Sequence, residues 1–390
     1  MITFQNHEGL SDIEKILCFA IAANNTFLEK EIKELYAEVN KEYLIESAIK
    51  DEVAPHLVSA LGKIGIAFNP EWQEEYSKTG HRIDNLMAEL ERVAVYLKEK
   101  GIKIVGLKNA GITKGLYKKN ACSPMGDIDL LVSTKDFRQA HHHIINDLNY
   151  VFKFRSEFEE EDLEEAFKGG GTEYYKEVNG YTVWLELQWR PVAGRWIQPH
   201  NEPNGDELMD RSIPIEGSAV RLLAPEDNLL QVCLHTAKHS YCRAPGFRLH
   251  TDVDRIVNFA EIDWDHFLAL VKKMKLKTAV HYSLLIPKEL LQTPIPQSVI
   301  DTLKPNWIRR SIIENLLGKA GLTDQHKKKF SKLGYILFNL SLYDSLGEMS
   351  TAVFPSSQAM KKRYEFDNSL MLPYYHLKRL ASLVLKRAKL

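Results

Sequence analysis

The sequence has few cysteines and no long hydrophobic run. Its 390 residues include four cysteines, and none of them lies at the short spacing from another that is typical of a zinc site. Four thiols are also few for a disulfide framework in a chain of this length, so we expect them to be reduced. Neither a run of 18 apolar residues nor an N-terminal charged-then-apolar leader occurs. We therefore expect no transmembrane segment and a cytoplasmic location.

The sequence also lacks an excess of charge of either sign. Lys plus Arg number 51 and Asp plus Glu number 52. Since proteins that bind long DNA or RNA usually present a clearly basic surface, we do not expect long nucleic acid as the main partner. No internal repeat or low-complexity segment is present, and the length allows two or three domains.

Three familiar binding motifs are incomplete. The run Lys168-Gly169-Gly170-Gly171-Thr172 lacks the Gly-Lys-Ser/Thr ending of a phosphate-binding loop, which favours a connector. His235 and His239 have helical i, i+4 spacing, but no Glu follows the first His as in metalloproteases. His141-His142-His143 are consecutive on a predicted helix and diverge by about 100° per residue, so they cannot chelate one ion together.

One acidic strand stands out, Met125-Gly126-Asp127-Ile128-Asp129-Leu130-Leu131-Val132. Side chains two residues apart on a strand point to the same face, so Asp127 and Asp129 lie side by side while the alternate apolar residues enter the core. Two crowded carboxylates favour a hard divalent cation such as Mg²⁺. Gly126 leaves room for a ligand. The alternative is a solvated strand end without a metal.

The residues before this strand predict a strand followed by a helix. A helix ends near Gly101, and Lys103–Leu107 forms a short strand that turns into a helix carrying Leu116 and Tyr117. This order places the free N–H groups of a helix start close to the two carboxylates. Phosphates are attracted by such N–H groups and by a metal ion.

A β-hairpin is predicted further along the chain. Residues 172–178 and 181–189 flank Asn179-Gly180, which suits a type I′ turn. Glu186 then lies in the middle of a largely apolar strand, where an unpaired buried charge would be costly. If Glu186 has no functional role, it is expected to pair with Arg190 or Lys176.

The rest of the chain is predicted to be mainly helical. We expect an α+β protein with a small mixed β-sheet core at residues 99–195, an N-terminal helical domain at 1–98 and a C-terminal helical domain at 196–390. Residues 191–214 are predicted to form a loop and 157–165 a solvated acidic run. Pro287 is predicted to mark a turn. The basic amphipathic helix from His376 to Leu390 suits packing of its Leu face better than membrane-surface binding.

Several of these stretches resemble a known family. The pattern Gly-Ile-x-x-x-x-Leu-Lys-x-Ala, then Leu-Tyr, then Pro-Met-Gly-Asp-Ile-Asp-Leu-Leu-Val, then Leu-Glu-Leu-x-Trp-Arg is similar to the uncharacterised bacterial nucleotidyltransferases of the DNA polymerase beta superfamily. The resemblance covers roughly residues 52–257. It implies a nucleotidyltransferase core and a reaction on a peptide, natural product or similar acceptor.

The resemblance implies a metal-dependent transfer. A nucleoside monophosphate would pass from an NTP, with ATP expected, to an acceptor hydroxyl or phosphate, and pyrophosphate would be released. Asp127, Asp129 and Glu186 would be the catalytic residues and would hold two Mg²⁺ ions, or Mn²⁺. Glu186 matches the third carboxylate of the superfamily and would accept the acceptor's proton.

The nucleotide-binding residues are expected at two places. Lys108 and the N–H groups of Asn109 and Ala110 would cradle the phosphates. The full expected set is Gly106, Lys108, Asn109, Ala110, Gly126, Lys238, His239 and Arg248. The alternative for Lys238, His239 and Arg248 is a buried hydrogen-bonded cluster. The chain departs from the family by Asn109, where Gly is common, and by Ser123, where Arg is common.

Two rival functions remain open. A nucleotide-sugar glycosyltransferase also uses Asp-x-Asp, but a mostly helical stretch precedes the motif here rather than a large parallel nucleotide-binding domain. A catalytically silent nucleotide-binding or regulatory module would keep the fold, but the presence of all three carboxylates argues against it.

Overall fold

A computed structural model describes residues 9–24, 28–68, 70–117, 119–153, 170–191 and 203–386 of the chain. These residues form one mixed seven-stranded β-sheet with helices before and after it in sequence. The predicted α+β class is confirmed. Within the described residues, none of the helices combines the length and the apolar character needed to cross a membrane.

The sheet is built around two central parallel strands. The strands are β1 Ile104–Gly106, β2 Asp127–Val132, β3 Val151–Lys153, β4 Gly171–Val178, β5 Tyr181–Gln188, β6 Ile213–Pro214 and β7 Arg221–Leu222. Their order across the sheet is β3-β4-β5-β2-β1-β7-β6. β2 pairs in parallel with β5, β1 pairs in parallel with β7, and the other pairs are antiparallel.

The helices fall into three stretches of the chain. Those before the sheet are α1 Asp12–Ile21, α2 Glu29–Glu38, α3 Lys41–Lys50, α4 Ala54–Lys63 and α5 Pro70–Glu99. Those between the strands are α6 Lys108–Gly115, α7 Phe137–Asn146 and α8 Gly205–Arg211. Those after the sheet are α9 Pro225–Lys238, α10 Leu249–Phe259, α11 Trp264–Lys273, α12 Lys277–Leu291, α13 Gln297–Leu303, α14 Trp307–Ala320, α15 Lys332–Ser341, α16 Leu346–Val353, α17 Ser357–Tyr364 and α18 Leu372–Lys386.

The two faces of the sheet are covered differently. Ile128, Leu130 and Val132 of β2 are fully buried in a core shared with α5 and α7. The opposite face carries Leu131, which packs with residues of α8. Because side chains alternate along a strand, Asp127 and Asp129 lie on the α8 face. The sheet therefore presents its carboxylates away from its largest core.

The helices near the two ends of the chain share one hydrophobic core. This core joins buried residues of α1–α4 with those of α9–α15. We call these helices the helical body. The predicted domain boundaries at residues 98/99 and 195/196 stay predictions.

The predicted hairpin is confirmed. β4 and β5 are joined by Asn179 and Gly180, which have φ values of 51° and 79°. Positive φ at both central residues is the requirement of a type I′ turn.

The predicted loop at 191–214 is wrong in its second half. Asn204 accepts a hydrogen bond from the Asp206 N–H and caps α8, and Leu208 and Met209 are buried. Gly205 lets the start of α8 approach the sheet, since a Cβ there would lie 2.2 Å from the carbonyl oxygen of Trp189. The Asn and Gly residues that suggested a loop form a helix start instead.

Two other boundary predictions need correction. α6 ends at Gly115, so Leu116 and Tyr117 lie beyond the helix that was predicted to carry them. Pro287 lies inside α12 rather than at a turn. The predicted acidic run 157–165 and the first residues of the glycine run, Lys168 and Gly169, lie outside the described residues.

Candidate active site

Parallel pairing of β2 with β5 brings three carboxylates together. The register places Asp129 opposite Glu186 and Asp127 opposite Trp184. One ligand oxygen from each of Asp127, Asp129 and Glu186 lies within 4.8 Å of the others. We call these three residues the acidic cluster. Two of its members share a face by strand alternation, and the third is brought beside them by a neighbouring strand.

The carboxylates of the acidic cluster lie close enough to affect one another's ionisation. Asp129 and Glu186 are only 4% and 7% exposed, while Asp127 is partly exposed. Burial and the neighbouring Asp129 charge raise the pKa of Asp127, and the Lys108 ammonium acts in the opposite direction. An additional cation at this place would relieve the repulsion.

The donor set fits a hard divalent cation. Two oxygens on opposite sides of a Mg²⁺ ion with bonds of about 2.1 Å are about 4.2 Å apart. The three carboxylate oxygens lie within 4.8 Å of one another, which is close to this largest spacing. All three are oxygen ligands, the type that Mg²⁺ and Mn²⁺ prefer.

Lys108 is the cation nearest to Asp129. Its Nζ lies 2.7 Å from Asp129 Oδ1, and Gln188 Nε2 donates to the same oxygen at 2.8 Å. Lys108 is the first residue of α6 and has a φ of 48°, a left-handed conformation that is uncommon for a residue with a side chain. The backbone is thus held in a strained form where its ammonium reaches the acidic cluster.

The start of α6 lies directly against β1. A Cβ on Gly111 would lie 2.3 Å from the carbonyl oxygen of Gly106, so only glycine at 111 allows this approach. The Leu107 N–H donates to the Asp129 carbonyl oxygen at 2.9 Å, which ties the turn to β2. The first N–H groups of α6, including those of Asn109 and Ala110, are therefore held beside the acidic strand.

Two more of the expected nucleotide-binding residues differ in their surroundings. Asn109 has a buried Oδ1 with no hydrogen-bond partner among the described residues. Gly126 is exposed, and a Cβ built on it would meet no atom within 4 Å. The backbone between Pro124 and Asp127 therefore borders open space, as the sequence predicted.

Arg248 approaches the same turn from the helical body. Its Nη1 donates to the Pro124 carbonyl oxygen at 2.6 Å, and its Nε lies 2.7 Å from Glu52 Oε2. The Arg248 charge lowers the pKa of Asp127, although less strongly than burial raises it. The structure thus places this expected phosphate ligand next to the acidic cluster.

His239 and Lys238 lie where α9 ends. His239 caps the helix, and its Nδ1 contacts the Ala244 carbonyl oxygen. Burial lowers the pKa of His239 to about 4, and the charges of Lys238 and Lys108 act in the same direction. Lys238 is exposed. Since Lys108 influences His239, the end of α9 faces the same side as the acidic cluster.

One carboxylate near the cluster was not predicted from the sequence. Glu173 on β4 lies opposite Glu186, so Asp129, Glu186 and Glu173 form a row across three strands. The Glu173 charge also raises the pKa of Asp127. The two-residue Asn-Gly turn fixes which residues of the hairpin face each other, and this register was the signal that could have revealed Glu173.

A second polar cluster was also missed. Arg255 on α10 is 2% exposed and donates to the Cys122 carbonyl oxygen and to Ser123 Oγ. Its Nη2 lies 2.9 Å from His56 Nε2, and its guanidinium carbon lies 4.1 Å from the centre of the Tyr117 ring. We call Arg255, Cys122, Ser123, His56 and Tyr117 the Arg255 cluster. His56 is buried here.

The Arg255 cluster explains why position 123 carries Ser instead of the Arg that is common in the family. Ser123 is fully buried, and its hydroxyl lies 3.4 Å from Arg255 Nη1. An arginine at position 123 would bring a second buried guanidinium against the first. Asp252 lies one helical turn before Arg255, whose charge counteracts the burial that raises the pKa of Asp252 to about 6.

Comparison with known proteins identifies the family. No curated protein and no solved structure matches the chain. A family model described as uncharacterised nucleotidyltransferase matches residues 37–292, which is more than half of the chain and includes the acidic cluster, Lys108 and Arg248. The chain therefore belongs to this nucleotidyltransferase family.

Proposed function

We propose that the protein transfers a nucleoside monophosphate from an NTP, with ATP as the expected donor, to an acceptor hydroxyl or phosphate. Pyrophosphate is the second product. The observation that carries this proposal is the convergence of Asp127, Asp129 and Glu186 from two neighbouring strands. We further propose that the sheet is a polymerase beta superfamily core.

The acidic cluster would hold Mg²⁺ or Mn²⁺. Asp129 and Glu186 are nearly buried on the central strands, so their positions are fixed by the sheet, whereas Asp127 faces open space beside Gly126. When bound, the metal would neutralise charge on the phosphates and promote ionisation of the acceptor oxygen. Substrate would approach from the side of Asp127.

Positive groups around the cluster suit a triphosphate. The N–H groups at the start of α6, Lys108 and Arg248 all lie beside the acidic strand. The ammonium of Lys108 now pairs with Asp129, and it would turn to a phosphate oxygen once a metal neutralises that carboxylate. Binding of donor and metal would then be coupled.

The transfer step needs a base and a leaving group. The acceptor oxygen forms a bond to the α-phosphorus, while the bond from that phosphorus to the oxygen bridging to the β-phosphorus breaks. That bridging oxygen leaves with the electron pair as part of pyrophosphate. The proton of a hydroxyl acceptor passes to a carboxylate, for which Glu186 lies beside the other two acids.

The experiment is to incubate the protein with each labelled NTP, Mg²⁺ and candidate acceptors and to measure pyrophosphate. The variant Asp127→Asn/Asp129→Asn is expected to lose about 10³-fold or more of the activity. Asp265→Asn, an exposed carboxylate on α11, is the matched control and should behave as the native protein. Equal pyrophosphate release by the double variant and the native protein would contradict the proposal.

A thermal-shift measurement separates this function from its rivals. Nucleoside triphosphates should stabilise the native protein only with Mg²⁺ present, because the acidic cluster repels phosphates without it. Stabilisation by a nucleotide sugar in preference to every NTP would instead favour glycosyl transfer. Metal-dependent NTP binding without any transfer to the tested acceptors would favour a silent binding module.

A further inference from the structure

A cavity with strongly basic walls lies beside the helical body, away from the acidic cluster. It has a volume of about 390 Å³ and opens between the segment at Arg243 and residues 325–336. Its cationic lining residues are Arg243, Lys327, Lys328, Lys329 and Lys332. No acidic residue is among the described residues that line it. Such a wall attracts anions despite the neutral charge of the whole chain.

Three of these five cations are exposed. Lys327, Lys328 and Lys332 are exposed, and their ammonium groups form no hydrogen bond or ion pair with the residues that the structure describes. Lys329 differs, since it is 9% exposed and its Nζ donates to carbonyl oxygens after α14, including that of Gly321 at 3.1 Å. Three ammonium groups are thus available to a ligand.

Arg243 adds a positioned cation. It is half-buried, and its guanidinium carbon lies 4.8 Å from the centre of the Tyr335 ring, which holds the group against one wall. The cavity also borders the start of α15, where Ser331 Oγ accepts from the Gly334 N–H. The positive end of that helix dipole points to the same region as the lysines.

Another part of the wall is apolar. Phe330, Tyr335 and Ile336 line the cavity, and the rings of Phe330 and Tyr335 are 6.2 Å apart. A cavity of this volume accommodates one small molecule. A ligand that matches both walls has one anionic end and one flat or apolar part.

We propose that this cavity binds a small phosphorylated molecule through Arg243, Lys328 and Lys332, with the remainder of the ligand against Tyr335. The site is separate from the proposed donor site. The residues from 325 to 336 lie beyond the part of the chain that matches the family, 37–292. Arg243 and Ala244 lie within the matched part.

The site is also connected to the acidic cluster. Ala244 lines the cavity, and its carbonyl oxygen contacts His239. Gln325 lines it as well and donates to Glu52 Oε1 at 3.4 Å, while Glu52 pairs with Arg248 beside the cluster. A ligand here would act on the position of Arg248.

The test is calorimetry with phenyl phosphate, inorganic phosphate and inorganic triphosphate in metal-free buffer at low salt. Without metal the acidic cluster repels these probes, so binding reports the basic cavity. Lys328→Gln/Lys332→Gln and, separately, Arg243→Gln should each weaken triphosphate binding about tenfold. Lys272→Gln/Lys273→Gln on α11, two exposed lysines with the same charge change, should leave it unchanged.

Three results would overturn the proposal. The first is equal affinity in the native protein and both cavity variants. The second is a loss in the Lys272→Gln/Lys273→Gln control as large as in the cavity variants, which would mean binding by overall charge. The third is tighter binding in Asp127→Asn/Asp129→Asn, where the repulsion by the carboxylates is removed, which would place the probe at the acidic cluster. Phenyl phosphate binding no tighter than inorganic phosphate would overturn the apolar part of the assignment.

Discussion

The acidic cluster and the Arg255 cluster lie on either side of the short segment from Cys122 to Asp127, yet their charges are balanced in different ways. The acidic cluster gathers three carboxylates, and Lys108 pairs with Asp129 among them. The Arg255 cluster spreads a single guanidinium over a carbonyl, a hydroxyl, an imidazole and an aromatic ring. One cluster is open on the side of Asp127 and gathers like charges, and the other is closed around a single buried charge.

This difference distinguishes a site suited to bind a cation from a cluster that holds the backbone in place. Burial and repulsion from Asp129 raise the pKa of Asp127, and a bound cation would counteract both. In the closed cluster, burial and the Arg255 charge lower the pKa of His56. The imidazole therefore stays neutral beside the guanidinium, and no further charge is needed there. The segment between the clusters is held by Arg255 on one side and presents Asp127 on the other.

The largest expected effect concerns the third carboxylate. Glu186→Gln should lower nucleotidyl transfer about 10³-fold, because Glu186 lies in register with Asp129 and its oxygen is within 4.8 Å of the other two. Glu173→Gln, one strand further out, is the matched control and should cost tenfold or less. Steady-state pyrophosphate release measures both. An equal loss in the two variants would place Glu173 in the site.

The next effect concerns the closed cluster and appears in stability. Arg255→Met should lower the free energy of unfolding by about 3 kcal/mol, because it leaves the Cys122 carbonyl, Ser123 and Asp252 buried without their cation. Urea unfolding at pH 7 measures this change. Arg82→Met, an exposed arginine on α5, should change it by less than about 0.5 kcal/mol. Equal curves for the two variants would contradict a supporting role for Arg255.

The smallest effect is a pH dependence from another buried group on α10. Burial lowers the pKa of His250 from 6.5 to about 4, and its Nε2 donates to the Tyr241 carbonyl oxygen at 2.9 Å. Because the folded protein keeps the His250 imidazole neutral, the contribution of this group to the free energy of unfolding is fully present above pH 6.5. It is lost as the pH falls toward 4. Between pH 7 and 5 the unfolded chain gains a proton that the folded chain does not, which removes about 2 kcal/mol.

His250→Gln should therefore lose less stability than the native protein between pH 7 and 5. The difference in urea unfolding free energy between the two pH values gives the comparison. His266→Gln, an exposed histidine on α11, should keep the native pH dependence. A steeper dependence in His250→Gln than in the native protein would contradict the assignment.

Local features of the fold were predictable from the sequence. The hairpin follows from Asn179-Gly180, and the shared face of Asp127 and Asp129 follows from strand alternation, because both depend on neighbours along the chain. α8 was missed because an Asn and Gly pair suits a loop as well as a helix start.

The long-range parts of the site were not predictable from local patterns. Glu186 reaches Asp129 through a parallel pairing of strands more than 50 residues apart, and only the family resemblance suggested it. Arg255 reaches Cys122 and Ser123 across 133 and 132 positions in sequence, with no local signal at all. The basic cavity depends on Arg243 meeting a lysine run that is distant in sequence. Such contacts depend on tertiary packing.

The shared core of the helical body sets an order on how the chain can fold during synthesis. The core that contains the apolar faces of α1–α4 is completed largely by helices that begin after residue 224 and continue to α15. These faces must wait through the synthesis of the whole sheet before their partners emerge from the ribosome. The sheet and α5 can assemble first, so the newly made chain would expose its amino-terminal helices to aggregation and to chaperones for most of its translation.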